Sequence, residues 1–224
     1  MERGPSWSSD TDSPEFDGFY RRPLALEREA VDRVEQTSQR LVWALYASLV
    51  TDILYFFYDL SGLWVDLSGD ETGLFVLGFP ALGAMLATVV LFAAWVSRSV
   101  RASSLLDPSA RSVASGWLGA AALLLFPSWP FLIQFVAKRS GGREAAKVAL
   151  RWSVPLTLAI LLVLATLHPK YEEVYSGPAY AEYLALEFVG AIAETFAVFG
   201  GVATLRRLVL AHRSRLERLS AGTP

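Results

Sequence analysis

The chain contains no cysteine, which removes disulfides, thiolate metal sites and thiol catalysis together and leaves the redox compartment unread. Histidine is nearly as scarce. His168 and His212 are the only two, too few to build a conventional metal centre, so neither a metal nor another cofactor is expected. Residues 1–18 are rich in Ser, Asp, Pro and Gly and lack a basic start followed by an apolar core, so they do not read as a secretory signal. Residues 1–20 are expected to form a disordered tail.

What remains is strongly apolar. The 224 residues are 53% hydrophobic, mean hydropathy is +0.37, and several apolar runs are long enough to cross a bilayer. The fold expected is all-α: a polytopic helical membrane protein with four transmembrane helices and a broken or re-entrant third hydrophobic segment. Residues 21–40 carry Leu24, Leu26, Val31 and Val34 on one helical face among mixed charges, which predicts an amphipathic helix leading into the membrane. Residues 41–205 make the membrane domain, and 206–224 a basic tail with Arg206, Arg207, Arg213, Arg215 and Arg218.

The spans are expected at 41–58, 74–96, 152–167 and 183–205. Pro80 is expected to bend the second, and Pro155 to fall in the first turn of the next. Between them, residues 113–136 are long enough to cross, yet Pro127 and Pro130 interrupt them past the middle. Charge decides. If this segment returns to the side it left, nineteen of the twenty Lys and Arg share one side and Lys170 stands alone on the other; if it crosses, the split is ten and ten. The preference for cytoplasmic Lys and Arg therefore predicts a cell-membrane protein with both termini cytoplasmic.

Acids are written into the apolar helices. Glu187 and Glu194 lie in 183–205, and Asp52 lies in 41–58. Each costs about 2.5–3.5 kcal/mol in hydrocarbon, so each must face protein, water or a cation. Glu187, Gly190, Ala191, Glu194, Ala197, Val198 and Gly201 share one helical stripe, small or acidic except for Val198. Gly190, Ala197 and Gly201 on it are expected to allow close helix packing. At ~1.5 Å per residue, Asp52 sits roughly 9 Å and Glu187 roughly 6 Å from the outer ends of their helices. These two are therefore expected to be neighbours, with Glu194 near the midplane and Asp59 at the surface. No Lys or Arg is available at that depth. The acids can be protonated and bonded to Ser48, Thr51, Tyr55 or Thr195, can share a proton, or can hold a cation. With Gln134 of the broken segment, Asp52, Glu187 and Glu194 form a candidate proton or cation path, fed by Asp66, Asp70, Glu71, Glu172 and Glu173.

Catalysis is not expected. Tyr58-Asp59 and Gly69-Asp70 look like the paired motifs of intramembrane aspartyl proteases, but the second lies in a short polar linker. Ser115-Gly116-Trp117 has no base near it in sequence. One pattern does resemble a family: Trp95-Val96-Ser97-Arg98 with Arg101-Ala102, Ser115-Gly116-Trp117, and Phe126-Pro127 through Pro130 resemble the core of a bacterial multi-pass membrane family of unknown function. The resemblance covers roughly 74–205, departs at Ser103-Ser104 where the family commonly has Asn, and implies no activity.

Two functions fit. The first is a non-catalytic subunit or scaffold of a membrane complex, partnered by other membrane subunits or by copies of itself. The second is a small proton or cation channel or carrier. Beyond the bilayer, the basic tail is expected to contact anionic lipid, and no nucleic-acid partner is expected.

Overall fold

A computed structural model describes residues 14–61, 71–107, 115–124, 126–166 and 177–221. Its elements are α1 (Pro14–Ser61), α2 (Glu71–Leu106), α3 (Ser115–Leu124), a 3-10 turn (Phe126–Ser128), α4 (Trp129–Thr166) and α5 (Gly177–Ser220). Among the described residues there is no strand, and α1, α2, α4 and α5 each hold a stretch long and apolar enough to span a bilayer. The protein is an all-α, polytopic membrane protein. Helix α1 takes in residues 14–20 of the expected tail; residues 1–13, and the acids Asp66, Asp70, Glu172 and Glu173, lie outside the described residues.

Polar contacts fix the direction of each helix. At one end Arg98 of α2 donates to Thr37 Oγ1 of α1, and Arg213 of α5 meets Glu35 of α1 at 2.5 Å. At the other, Tyr180 of α5 donates its hydroxyl proton to the Asp59 carbonyl of α1, and the Phe56 and Phe188 rings lie 5.8 Å apart. Helices α1 and α5 therefore run antiparallel along their length. The amphipathic stretch of α1 is part of this bundle. Val31, Val34, Thr37 and Ser38 are buried at spacings of three and four, the face a helix turns to its neighbours.

The third hydrophobic segment is broken where the prolines predict. Helix α3 ends at Leu124, the turn Phe126–Ser128 follows, and the Trp129 indole closes the break by donating to the Ala122 carbonyl at 2.7 Å. The chain then runs back. Ser140 Oγ lies 2.8 Å from Ser103 Oγ, near the end of α2 from which the segment set out. A second reversal occurs at Gly142, whose φ of 69° and ψ of −156° divide α4 into two arms, 129–141 and 143–166. They lie side by side. Trp129 and Trp152, one from each arm, pack on Phe92 at 4.2 and 5.9 Å, and Ser153 Oγ donates to the Gln134 side-chain amide oxygen at 2.9 Å.

The backbone at Gly142 is one that only glycine adopts without strain. Gly142→Ala is expected to cost roughly 1–3 kcal/mol and to lower the melting midpoint of the detergent-solubilised protein. Gly83→Ala, in open space on α2, serves as the control and is expected to hold or raise it. Equal losses in both variants would remove Gly142 as the hinge.

The second arm begins at residue 143, not at 152 as the hydropathy suggests, which places Pro155 well inside a helix rather than in its first turn. The proline has no N–H for the Arg151 carbonyl one turn earlier. Against that carbonyl α5 lays Gly200, so close that an added Cβ would stand 2.0 Å from the Arg151 oxygen. The next residue, Gly201, lies on the Trp152 ring. One missing donor and two missing side chains together let the two helices touch.

Candidate functional site

Beyond the paired tryptophans the four long helices part around a cavity of about 580 Å³. It extends from Trp129 and Trp152 to Thr166, the last described residue of α4. Leu82, Met85 and Val89 of α2 and Leu156 and Ile160 of α4 give it apolar walls. The wall made by α1 and α5 is different: Ser48, Asp52, Glu187 and Glu194 open onto the cavity, and none of the described residues lining it is Lys or Arg. Its floor is aromatic. Phe92, Trp95, Trp129 and Trp152 interlock, with Trp95 and Trp152 centroids 5.7 Å apart, between the cavity and the arginine-rich end.

The acids form two cross-helix pairs. Asp52 of α1 and Glu194 of α5 are hydrogen-bonding neighbours, with Ser48 Oγ donating to Asp52 Oδ2 at 3.4 Å. Asp59 and Glu187 are the second pair, bridged by Tyr183, whose hydroxyl is 2.6 Å from Glu187 Oε1 and 3.4 Å from Asp59 Oδ2. The spacing follows from antiparallel packing. Seven residues forward on α1, from 52 to 59, match seven residues back on α5, from 194 to 187, so the rungs stand about 10 Å apart.

An ionised carboxylate only accepts hydrogen bonds, so two of them bond only when one carries a proton or a cation lies between. Glu187 shows what is missing: its Oε2 is buried and receives no N–H or O–H from any described residue. Each rung is therefore a place where one positive charge, proton or cation, completes the bonding.

The sequence-derived residues divide accordingly. Asp52, Glu187 and Glu194 share the cavity wall, but Asp52 faces Glu194 rather than Glu187. The partner of Glu187 is Asp59, half-buried rather than at the surface. Gln134 is not among the cavity residues; its amide ties the two arms of α4 at Ser153. Gly190 and Ala197 line the cavity, whereas Gly201 packs on Trp152. Sequence reasoning missed Tyr183, the floor tryptophans and Gly200. The i, i+7 repeat of acids on both helices, 52 with 59 and 187 with 194, was the signal available for the second rung.

His212 is a core residue rather than a ligand. It is fully buried, with Nδ1 2.8 Å from the Leu208 carbonyl and Nε2 3.3 Å from Ser103 Oγ. Among the described residues no group of three or more His, Cys, Asp and Glu is placed to hold a metal ion. No protein-family model matches this chain, and neither the curated proteins nor the solved structures contain a match to it.

Proposed function

We propose that the protein moves or senses protons or small cations in the cell membrane, with Asp52–Glu194 and Asp59–Glu187 as successive binding rungs. The observation that supports this most directly is the pairing itself: two acid–acid contacts across one helix seam, beside a cavity whose described lining holds no basic side chain. Mere adhesion between α1 and α5 would be served better by apolar pairs, because burying carboxyls is costly. The positive-inside preference puts the arginine-rich end in the cytoplasm, with the broken segment dipping in from that side to a tip at Phe126–Trp129. The aromatic floor then separates the rungs from the cytoplasm.

The small-residue stripe of α5 and the amphipathic stretch of α1, which favour a scaffold, have uses within the chain. Gly200 and Gly201 pack on α4, and the amphipathic part of α1 is packed into the bundle. That weakens the case for an unmet partner surface there.

The test is flux. Full-length protein in phosphatidylcholine–phosphatidylglycerol vesicles, loaded with a pH-sensitive dye and given a proton or potassium gradient, is expected to dissipate it faster than protein-free vesicles. Asp52→Asn with Glu194→Gln, which keeps shape and hydrogen bonding, is expected to abolish the difference. Silence of the wild type, or full flux in the double variant, overturns the reading; silence with a stoichiometric co-purifying membrane protein restores the subunit reading.

A further inference from the structure

The cavity beside the carboxyl rungs is far larger than a proton or a bare metal ion needs. Its volume of about 580 Å³ lies within the roughly 300–1,000 Å³ of pockets for drug-sized organic ligands, whereas one water molecule fills about 30 Å³. Most of its walls would hydrate a small ion poorly. Leu82 and Met85 of α2 and Leu156 and Ile160 of α4 offer water nothing to bond.

The polarity of the cavity is one-sided. Among the described lining residues the charged ones are Asp52, Glu187 and Glu194, all on α1 and α5, and none is Lys or Arg. The groups beside these acids bring no positive charge: Ser48 and Glu194 flank Asp52, and Tyr183 and Asp59 flank Glu187. An occupant that complements this lining is apolar over most of its surface and carries a positive charge on one side. The floor sets its length. Gly201 lies on the Trp152 ring, and Glu194 stands seven residues before it on α5, about 10 Å along the helix. A charge held at Asp52 and Glu194 therefore leaves about 10 Å for an apolar body above Trp129 and Trp152, and the unbranched Met85 side chain lets the opposite wall adapt to its shape.

We propose that the cavity binds a lipophilic organic cation, an amine or onium ion of drug size, with its charge at Asp52 and Glu194 and its apolar body over the tryptophan floor. The proposal rests on the reading that a positive charge completes each rung, and it names the class of cation. The organic cation takes the place of the proton that a carboxyl and a carboxylate share. The O–H bond breaks, the proton passes to water, and two carboxylates face the bound charge, so the net charge of the rung is the same before and after.

The probes are tetraphenylphosphonium and tetraphenylborate, nearly the same shape with opposite charge. Calorimetric titration of the full chain in a non-ionic detergent, corrected with protein-free micelles, is expected to show saturable binding of the phosphonium and none of the borate. Repeating it in two buffers of different ionisation heat is expected to show release of about one proton per phosphonium bound. Asp52→Asn with Glu194→Gln is expected to weaken binding at least ~10-fold. Gly190→Phe, which fills the cavity between the rungs and leaves the acids in place, is expected to do the same. Melting midpoints confirm that each variant is folded, and the comparison of the two probes needs no variant. Equal binding of both probes marks a pocket for any apolar body, such as a lipid tail, and overturns the proposal; so does undiminished binding in either variant. The flux measurement separates this failure from that of the rungs. Wild-type vesicles that pass protons or potassium, with no phosphonium binding, overturn the organic cation alone, whereas neither flux nor binding removes both. Binding without flux upholds the organic-cation site and removes transport of protons and potassium.

Discussion

Gly200→Val is expected to leave little folded protein, while Gly190→Ala, on the same helix, is expected to be nearly neutral. A Cβ on Gly200 would stand 2.0 Å from the Arg151 oxygen and 2.4 Å from its carbonyl carbon. Both are backbone atoms of a packed helix and cannot rotate away as a side chain end can. Overpacking in a close-packed interior costs typically 1–3 kcal/mol when side chains absorb it; here roughly 3 kcal/mol or more is expected, because helix must separate from helix. At Gly190 the nearest atom to an added Cβ is Leu162 Cβ at 3.9 Å, an ordinary contact. The measurement is the monodisperse fraction on size exclusion in detergent, followed by the melting midpoint. If Gly200→Val is recovered in wild-type yield and melts with the wild type, α5 does not rest on the Arg151 carbonyl and the seam between α4 and α5 is wrong.

That seam also shows where sequence reasoning stops. Span number, the break at Pro127 and Pro130, and the acids inside apolar helices follow from composition, proline chemistry and the cost of charge in lipid. The partners of those acids do not. Counting depth from the hydropathic end of each span set Asp52 beside Glu187, but helix register is fixed by contacts along the whole seam. Glu35 with Arg213 at one end and Phe56 with Phe188 at the other place Asp52 beside Glu194. A stripe of small residues singled out Gly201, whereas the tighter contact is at Gly200. The reason lies in another helix, since only Pro155 frees the carbonyl that Gly200 meets, and no periodicity within α5 can report it. The reversal at Gly142 is not read from the sequence; it brings together two helical arms whose Trp129 and Trp152 share Phe92, a contact between distant residues that no local pattern reports.

Glu194→Lys is expected to keep the fold and stop transport, and adding Asp52→Lys to it is expected to destroy the fold. In the single variant the rung becomes Asp52 facing an ammonium group, an ion pair that satisfies Asp52 without a mobile proton or cation. The lysine stem is long enough to cover the neighbouring apolar surface while its head reaches the carboxylate. In the double variant two ammonium groups face one another with no acceptor in the rung, and an unpaired buried charge costs on the order of 3–5 kcal/mol. The contrast separates two accounts of the acids. If Asp52 and Glu194 are adjacent and completed by a positive charge, the single variant melts near or above the wild type while vesicle flux is lost, and the double variant aggregates. If the acids only fill space on separate patches of the cavity wall, each lysine is equally harmful and the losses add, as they do for sites without shared partners. Melting midpoints of Asp52→Lys and Glu194→Lys, with the monodisperse yield of all three variants, give the answer: a double variant no worse than the two single losses together removes the rung, and two stable singles with an aggregated double variant establish it.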